Sequence, residues 1–187
     1  MNDALINRIL RAPTGLKSRL RIGWLRLLGA SIGPACRVVS PEIPQNPWDI
    51  RLDQGVALDR HVTLLAIGER TDSPRITIGA NCYINRRTMI DASLSVEIGA
   101  HCMIGPECYI TDHDHGTALG QPVGQQPLIE APVRIGEDVW LGAQVKILKG
   151  VTIGAGSIIG SGSTVTRDIP ENVIAVGSPA RVVRDRT

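Results

Sequence analysis

The residues best suited to chemistry lie in one short stretch, Thr111-Asp112-His113-Asp114-His115-Gly116, which holds two of the chain's four histidines. A neutral imidazole with a pKa near ~6.5 can take a proton from a hydroxyl at physiological pH, and general-base help of this kind is worth ~10²- to 10⁴-fold. Asp112 or Asp114 could orient such a ring by accepting from its other nitrogen, as could a backbone carbonyl. The competing reading is structural: aspartates at the root of a loop fix turns through their side chains. The cysteines offer less. Cys36, Cys82, Cys102 and Cys108 include no Cys-x-x-Cys spacing, so neither a zinc site nor a disulfide framework is expected from them.

A scaffold for that stretch emerges from a repeat of six residues. Aliphatic side chains recur at Ile78, Ile84, Ile90 and Val96, restart at Ile98, Ile104 and Ile110, and continue from Ile135 through Leu141, Ile147, Ile153, Ile159 and Val165. A weaker series precedes them at Ile50, Val56 and Val62. The aliphatic is often followed by Gly, and the fourth residue after it is small or β-branched, as at Cys82, Thr88, Cys102, Val139 and Ser157. Six is neither the period of a strand nor that of a helix. It suits a short strand plus a corner, three of which close a triangular coil of roughly 18 residues. The aliphatics would stack inside the prism, and the small residues would let the chain turn. The coil is expected over 50–170, with 1–49 as an N-terminal capping segment and 171–187 as a C-terminal extension. The repeat breaks at 68–75 and again at about 113–132, the second break opening on the two histidines. Insertions in a solenoid map to loops that often carry function.

Composition agrees with a prism and removes several function classes. The 187 residues suffice for one sizeable domain, and with no Phe, three Trp and two Tyr the core must be aliphatic. Six Lys or Arg against one Asp fall in the first 30 residues, leaving 14 basic and 17 acidic residues elsewhere. The body therefore lacks the extended basic surface that nucleic acid requires. No apolar run approaches the ~20 residues of a membrane span, and no secretory signal is evident, which makes the cytoplasm the expected compartment. Between Thr14 and Leu28, Leu16, Leu20, Trp24, Leu27 and Leu28 share one helical face, and Gly29 is a plausible stop. This amphipathic helix could dock its apolar side on the open end of the solenoid or rest on an anionic membrane, with capping preferred.

These hexads resemble those of the hexapeptide-repeat acyltransferases, and the run Val133-Arg134-Ile135-Gly136-Glu137-Asp138-Val139-Trp140-Leu141-Gly142-Ala143 carries the strongest match. The resemblance implies an all-β fold, a left-handed parallel β-helix, assembled as a homotrimer with acetyl-CoA in the groove between subunits. It implies O-acetyl transfer to a saccharide hydroxyl, in surface polysaccharide or lipopolysaccharide biosynthesis, with no metal. In the sugar O-acetyltransferases it resembles, the catalytic His commonly stands five residues after the last aliphatic before the loop. His115 has that spacing from Ile110, with His113 as the alternative and Asp112 as the orienting acid. Asn85 and Asp91 match residues that hold the acceptor sugar, and Arg86 between them could meet an anionic acceptor. Trp140 would flank the thioester, and the amides near Gly142 and Ala143 would support the oxyanion. Gly160 would line the pantetheine groove, with Arg167, Arg181 and Arg184 around the phosphates of coenzyme A. Ser178-Pro179 suggests the start of a short C-terminal helix. Competing readings are N-acetylation of an amino sugar or small xenobiotic, a zinc enzyme of the carbonic anhydrase type using His101, His113 and His115, and a non-catalytic scaffold.

Overall fold

A computed structural model describes the backbone from Asp3 to Thr187 and the side chains from Gly15 onward. Short parallel strands make three flat walls, each receiving one strand from every turn of the chain. The first wall runs from Ser31–Ile32 through Ile50–Leu52, Ile76–Ile78, Val96–Ile98 and Val133–Ile135 to Thr152–Ile153. The second contains Tyr83–Ile84, Met103–Ile104, Trp140–Leu141 and Ile158–Ile159, and the third Met89–Ala92, Tyr109–Thr111 and Lys146–Ile147. This is a parallel β-helix, and the six-residue period is its cause. Ile78, Ile98, Ile135 and Ile153 stack along one wall, Ile84, Ile104, Leu141 and Ile159 along the next, and Ile90, Ile110, Ile147 and Val165 along the last. All are buried.

The corner residues are buried as well, and their chemistry is more specific than small size. The Cys82 thiol donates to the Gly99 carbonyl at 2.9 Å and the Cys102 thiol to that of Gly136 at 3.1 Å. Thr88 Oγ1 donates to the Gly105 carbonyl at 2.8 Å. Each therefore satisfies a carbonyl of the next coil that the corner leaves without a strand partner. The glycines after the aliphatics answer to crowding between coils. A Cβ on Gly105 would lie 2.5 Å from the Gly142 carbonyl oxygen, so neighbouring corners could not close up.

Three expectations are corrected. The coil starts at Ser31 and not at residue 50, because Ile32 and Val38 already obey the six-residue rule and their strands pair with Arg51–Leu52 and Ala57–Leu58. No C-terminal helix forms. After Ser178-Pro179, Ala180–Asp185 returns antiparallel on Val173–Gly177 and covers the edge that the last coil would leave open. At the end of the first of these strands, Gly177 adopts a φ of 104°. The N-terminal helix, Asp3–Leu27, stops before Gly29 as expected but docks through Ser18, Ile22 and Leu25, leaving its leucine and tryptophan stripe exposed. The insertion after Ile110 is a two-stranded arm, His113–His115 pairing antiparallel with Leu128–Glu130. Gln126 braces its tip, accepting from the Ala118 N–H at 2.8 Å and donating to the carbonyls of Ala118 and Gln121.

Candidate active site

Where the third wall turns toward the first, Asp112 is fully buried and anchors the cluster. Its carboxylate accepts three consecutive backbone N–H groups of the preceding coil: Ser93 at 2.9 Å, Leu94 at 2.8 Å and Ser95 at 2.6 Å. Three donors fix its position. Oδ1 also lies 2.9 Å from His113 Nδ1, which makes Nδ1 the protonated nitrogen and leaves the His113 Nε2 lone pair free. The His113 side chain is only 10% exposed, and Nε2 faces Asp91 Oδ2 across 3.9 Å. A hydroxyl oxygen to one side of the line joining them can lie within hydrogen-bond reach of both.

Asp91 itself is nearly buried on the third wall, where the Tyr109 hydroxyl donates to its Oδ2 at 3.3 Å. Burial raises its carboxyl above the usual carboxylate range, and the adjacent His113 imidazole draws it back. Asp91 Oδ1 is buried with no hydrogen-bond partner among the described residues. His115 stands differently. It lies two residues farther out on the arm, exposed, opposite Leu128. Asp114 beside it pairs with Lys149 at 3.5 Å and leaves the cluster.

A second set of residues converges on the outer face of the second wall. Asn85, Trp140, Gly142 and Ala143 line one shallow groove with Met103 and Ser161. Trp140 is 53% exposed and stands between Met103 and Ile158 of the neighbouring strands. The two amides proposed for an oxyanion differ in kind. Gly142 N–H is engaged within the wall by the Ile159 carbonyl at 2.8 Å, whereas Ala143 N–H meets only the rotatable Ser161 hydroxyl at 3.1 Å. Asn85 Oδ1 accepts the Arg86 N–H at 2.8 Å, leaving its amide nitrogen to the groove, and the Arg86 side chain is exposed. Gly160 belongs to packing: a Cβ there would lie 2.7 Å from Val176 Cγ1 of the final hairpin. Arg167, Arg181 and Arg184 are exposed, and Arg181 and Arg184 lie on the last strand of the sheet that carries Trp140.

The two sets do not meet within one chain. His113 follows a strand of the third wall, and Trp140 lies on the second, with a corner between them. His101 lies at yet another corner, between the first wall and the second, so it does not join His113 and His115. Reading the sequence missed Arg75 and Asp49. Both are buried and ion-paired to each other, and Arg75 Nε donates to the Ser93 carbonyl at 2.8 Å. The same peptide group presents the Leu94 N–H to Asp112, so the ion pair braces the amides that hold the acid. Only Arg75 being the last residue of the first break in the repeat hinted at this.

Family models for the bacterial transferase hexapeptide and the hexapeptide repeat of succinyl-transferase match residues 132–167 and 95–123. The chain is 33% identical over 172 residues to the provisionally named colanic acid biosynthesis acetyltransferase WcaF of Escherichia coli K12, covering 90% of this chain and 76% of that one. It is 40% identical over 115 residues to the galactoside O-acetyltransferase of the same strain, covering 59% of this chain and 54% of that one. Thus it spans about half the length of some curated relatives that it matches. Among solved structures, a hexapeptide-repeat acetyltransferase of Vibrio cholerae complexed with acetyl coenzyme A superposes with a TM-score of 0.65 at 26% identity, covering 95% of this chain and 82% of that one. With stacked hexads in its walls and a relative of its own kind matched over three quarters of its length, this chain belongs to the hexapeptide-repeat transferases, the family of the left-handed parallel β-helix.

Proposed function

We propose that the chain is an O-acetyltransferase that moves the acetyl group of acetyl-CoA onto a saccharide hydroxyl, in the assembly of a surface polysaccharide or lipopolysaccharide. The observation that carries this is the His113 imidazole, locked through Nδ1 by buried Asp112 with Nε2 open toward Asp91. An acceptor hydroxyl beside Nε2 and Asp91 Oδ2 gives its proton to Nε2. Its oxygen attacks the thioester carbonyl carbon, the carbon–sulfur bond breaks, and the imidazolium returns the proton to the departing thiolate. Asp112 favours the imidazolium while it exists, and Asp91 accepts from a second hydroxyl of the sugar. The galactoside and colanic acid relatives support a sugar acceptor, and the acetyl coenzyme A complex supports the donor.

The donor groove is the one lined by Trp140, Gly142 and Ala143. Ala143 N–H is the oxyanion donor, because Ser161 Oγ can rotate away and free it, whereas the Gly142 amide stays in the wall. Because His113 and Trp140 lie on different faces of the prism, the working unit is a homotrimer in which one subunit's imidazole faces its neighbour's groove. The reading carries a cytoplasmic location with it.

His113 is the base in this reading, and His115, despite its spacing from Ile110, is not. A turnover assay with acetyl-CoA and a panel of saccharides tests this. His113→Ala is expected to lower kcat by ~10²- to 10⁴-fold, with His115→Ala within a few-fold of the parent. Collapse in His115→Ala alone would overturn the assignment, and an absence of acetyl transfer in the parent would overturn the function.

A further inference from the structure

The N-terminal helix holds its apolar stripe away from the protein. Leu16, Leu20, Trp24 and Leu27 are 62%, 68%, 59% and 77% exposed, while Ser18, Ile22 and Leu25 on the opposite side are buried. The docking is specific. Ser18 Oγ accepts the Val38 N–H at 2.8 Å, Arg21 donates to the Val38 carbonyl at 3.1 Å, and Arg26 to the Ile32 carbonyl at 2.7 Å. The helix is therefore pinned to the first coil with four large apolar side chains facing out. At 100° per residue these four occupy an arc of roughly 80°, with Lys17 and Arg21 along one border and Arg19 and Arg26 along the other. No acidic residue falls between Leu16 and Leu28. Beside the Lys17 border, Lys17, Arg21 and Arg60 line one cavity of about 300 Å³ with Val39 and Ser40. Of the acids close in sequence to the cavity residues, Asp59 is engaged by the Tyr83 hydroxyl and the Arg60 N–H, and Glu42 pairs with His61 at 3.2 Å.

We propose that this face binds the surface of an anionic phospholipid bilayer. Leu16, Leu20, Trp24 and Leu27 enter the headgroup boundary, and the bordering cations together with the Lys17–Arg21–Arg60 cavity receive lipid phosphates. An apolar arc with Trp near its border and cations on both sides is the pattern that lies in a membrane interface. A second copy of the helix is the poorer occupant, since packing two such stripes together brings cation borders against each other with no acid to offset them. This proposal stands on the helix alone and is independent of which histidine is the base.

Co-sedimentation of the full chain with extruded vesicles tests it, comparing mixed phosphatidylglycerol–phosphatidylcholine with pure phosphatidylcholine. The parent is expected to pellet with the mixed vesicles and to be released at high salt. Leu20→Glu with Trp24→Glu should abolish binding, while acetyl transfer to a soluble acceptor and the thermal midpoint stay unchanged, because both residues are exposed. Lys17→Gln, Arg19→Gln and Arg60→Gln should each weaken binding roughly fivefold. Failure of the parent to bind mixed vesicles would overturn the proposal, as would equal binding by the Leu20→Glu/Trp24→Glu chain. Light scattering that shows self-association lost in that double variant, without vesicle binding, would assign the stripe to a second copy instead.

Discussion

Asp91 bears the tension in the site, since burial disfavours its charge while one carboxylate oxygen lacks a partner among the described residues. Its carboxyl is raised in the folded state, so the native chain holds that proton more tightly than the unfolded chain does. The contribution of Asp91 to stability is thus present below the usual carboxylate range and lost as pH rises through the raised value. Asp91→Asn removes that loss. At pH ~7 its thermal midpoint is expected to match or exceed the parent's, with the difference shrinking as pH falls through the raised value of Asp91. Acetyl transfer should fall in the same variant. A lower midpoint at pH ~7 with undiminished activity would mean that the carboxylate serves the fold and not the acceptor. His113 shows why residue types alone left the base open. Two histidines two residues apart have the same chemistry, and they separate only because three amides of another coil bury Asp112 beside one of them.

Among the elements, the turn from the third wall to the first concentrates the polar burial of the prism. Asp49, Arg75, the peptide after Ser93, Asp112 and His113 form a continuous hydrogen-bonded column across successive coils. The clasp around it comes from the segment after Gly68: the Glu69 carbonyl accepts from Arg75, and Arg70 lies over the Trp48 ring at 5.5 Å. Arg75→Met strands a buried carboxylate and is expected to destabilise the fold by about 3–5 kcal/mol in denaturant titration. Replacing both partners, Asp49→Leu with Arg75→Met, should restore much of that stability, because no unpaired charge remains. The double variant should still show reduced kcat at an ordinary KM, since the amides holding Asp112 have lost their brace. A double variant with full kcat would reduce the column to a structural role. The arm after Thr111 belongs to this scale too. It is fastened at its root where Ser93 Oγ donates to Glu130 and Ala131 N–H to the Asp112 carbonyl at 2.8 Å, so His113 sits at a fixed base and His115 on the projecting part.

For the whole molecule, the separation of His113 from Trp140 makes assembly a prediction about activity. If each site takes its imidazole from one subunit and its donor groove from the next, two inactive variants can complement each other. Mixed assemblies of His113→Ala and Trp140→Ala chains are expected to regain activity in about a quarter of their sites by random association. A mixture as inactive as either parent variant would refute a shared site. The exposed helix stripe leaves an uncovered apolar face beside the first coil.

The architecture was legible because its rule is local. A buried aliphatic every six residues, a small residue able to cap a carbonyl four places later and a glycine where coils touch are repeated until the walls are specified. The weak early series at Ile50, Val56 and Val62 obeyed the same rule, and so did Ile32 and Val38, where the repeat is too brief to stand out. Of the groove residues, Trp140, Gly142 and Ala143 stand in one continuous run of the sequence, Asn85 in a separate hexad, and Met103 and Ser161 come from other coils. Other features depended on contacts between distant residues, which a periodicity does not encode. Asp49 meets Arg75 across 26 positions, the last strand takes up an open edge in place of a helix, and the N-terminal helix buries Ser18, Ile22 and Leu25 instead of its leucine stripe. Hydrophobic spacing told which residues share a face. Only the tertiary structure decided which face had a partner, because burial is a property of what packs against a surface and not of the surface itself.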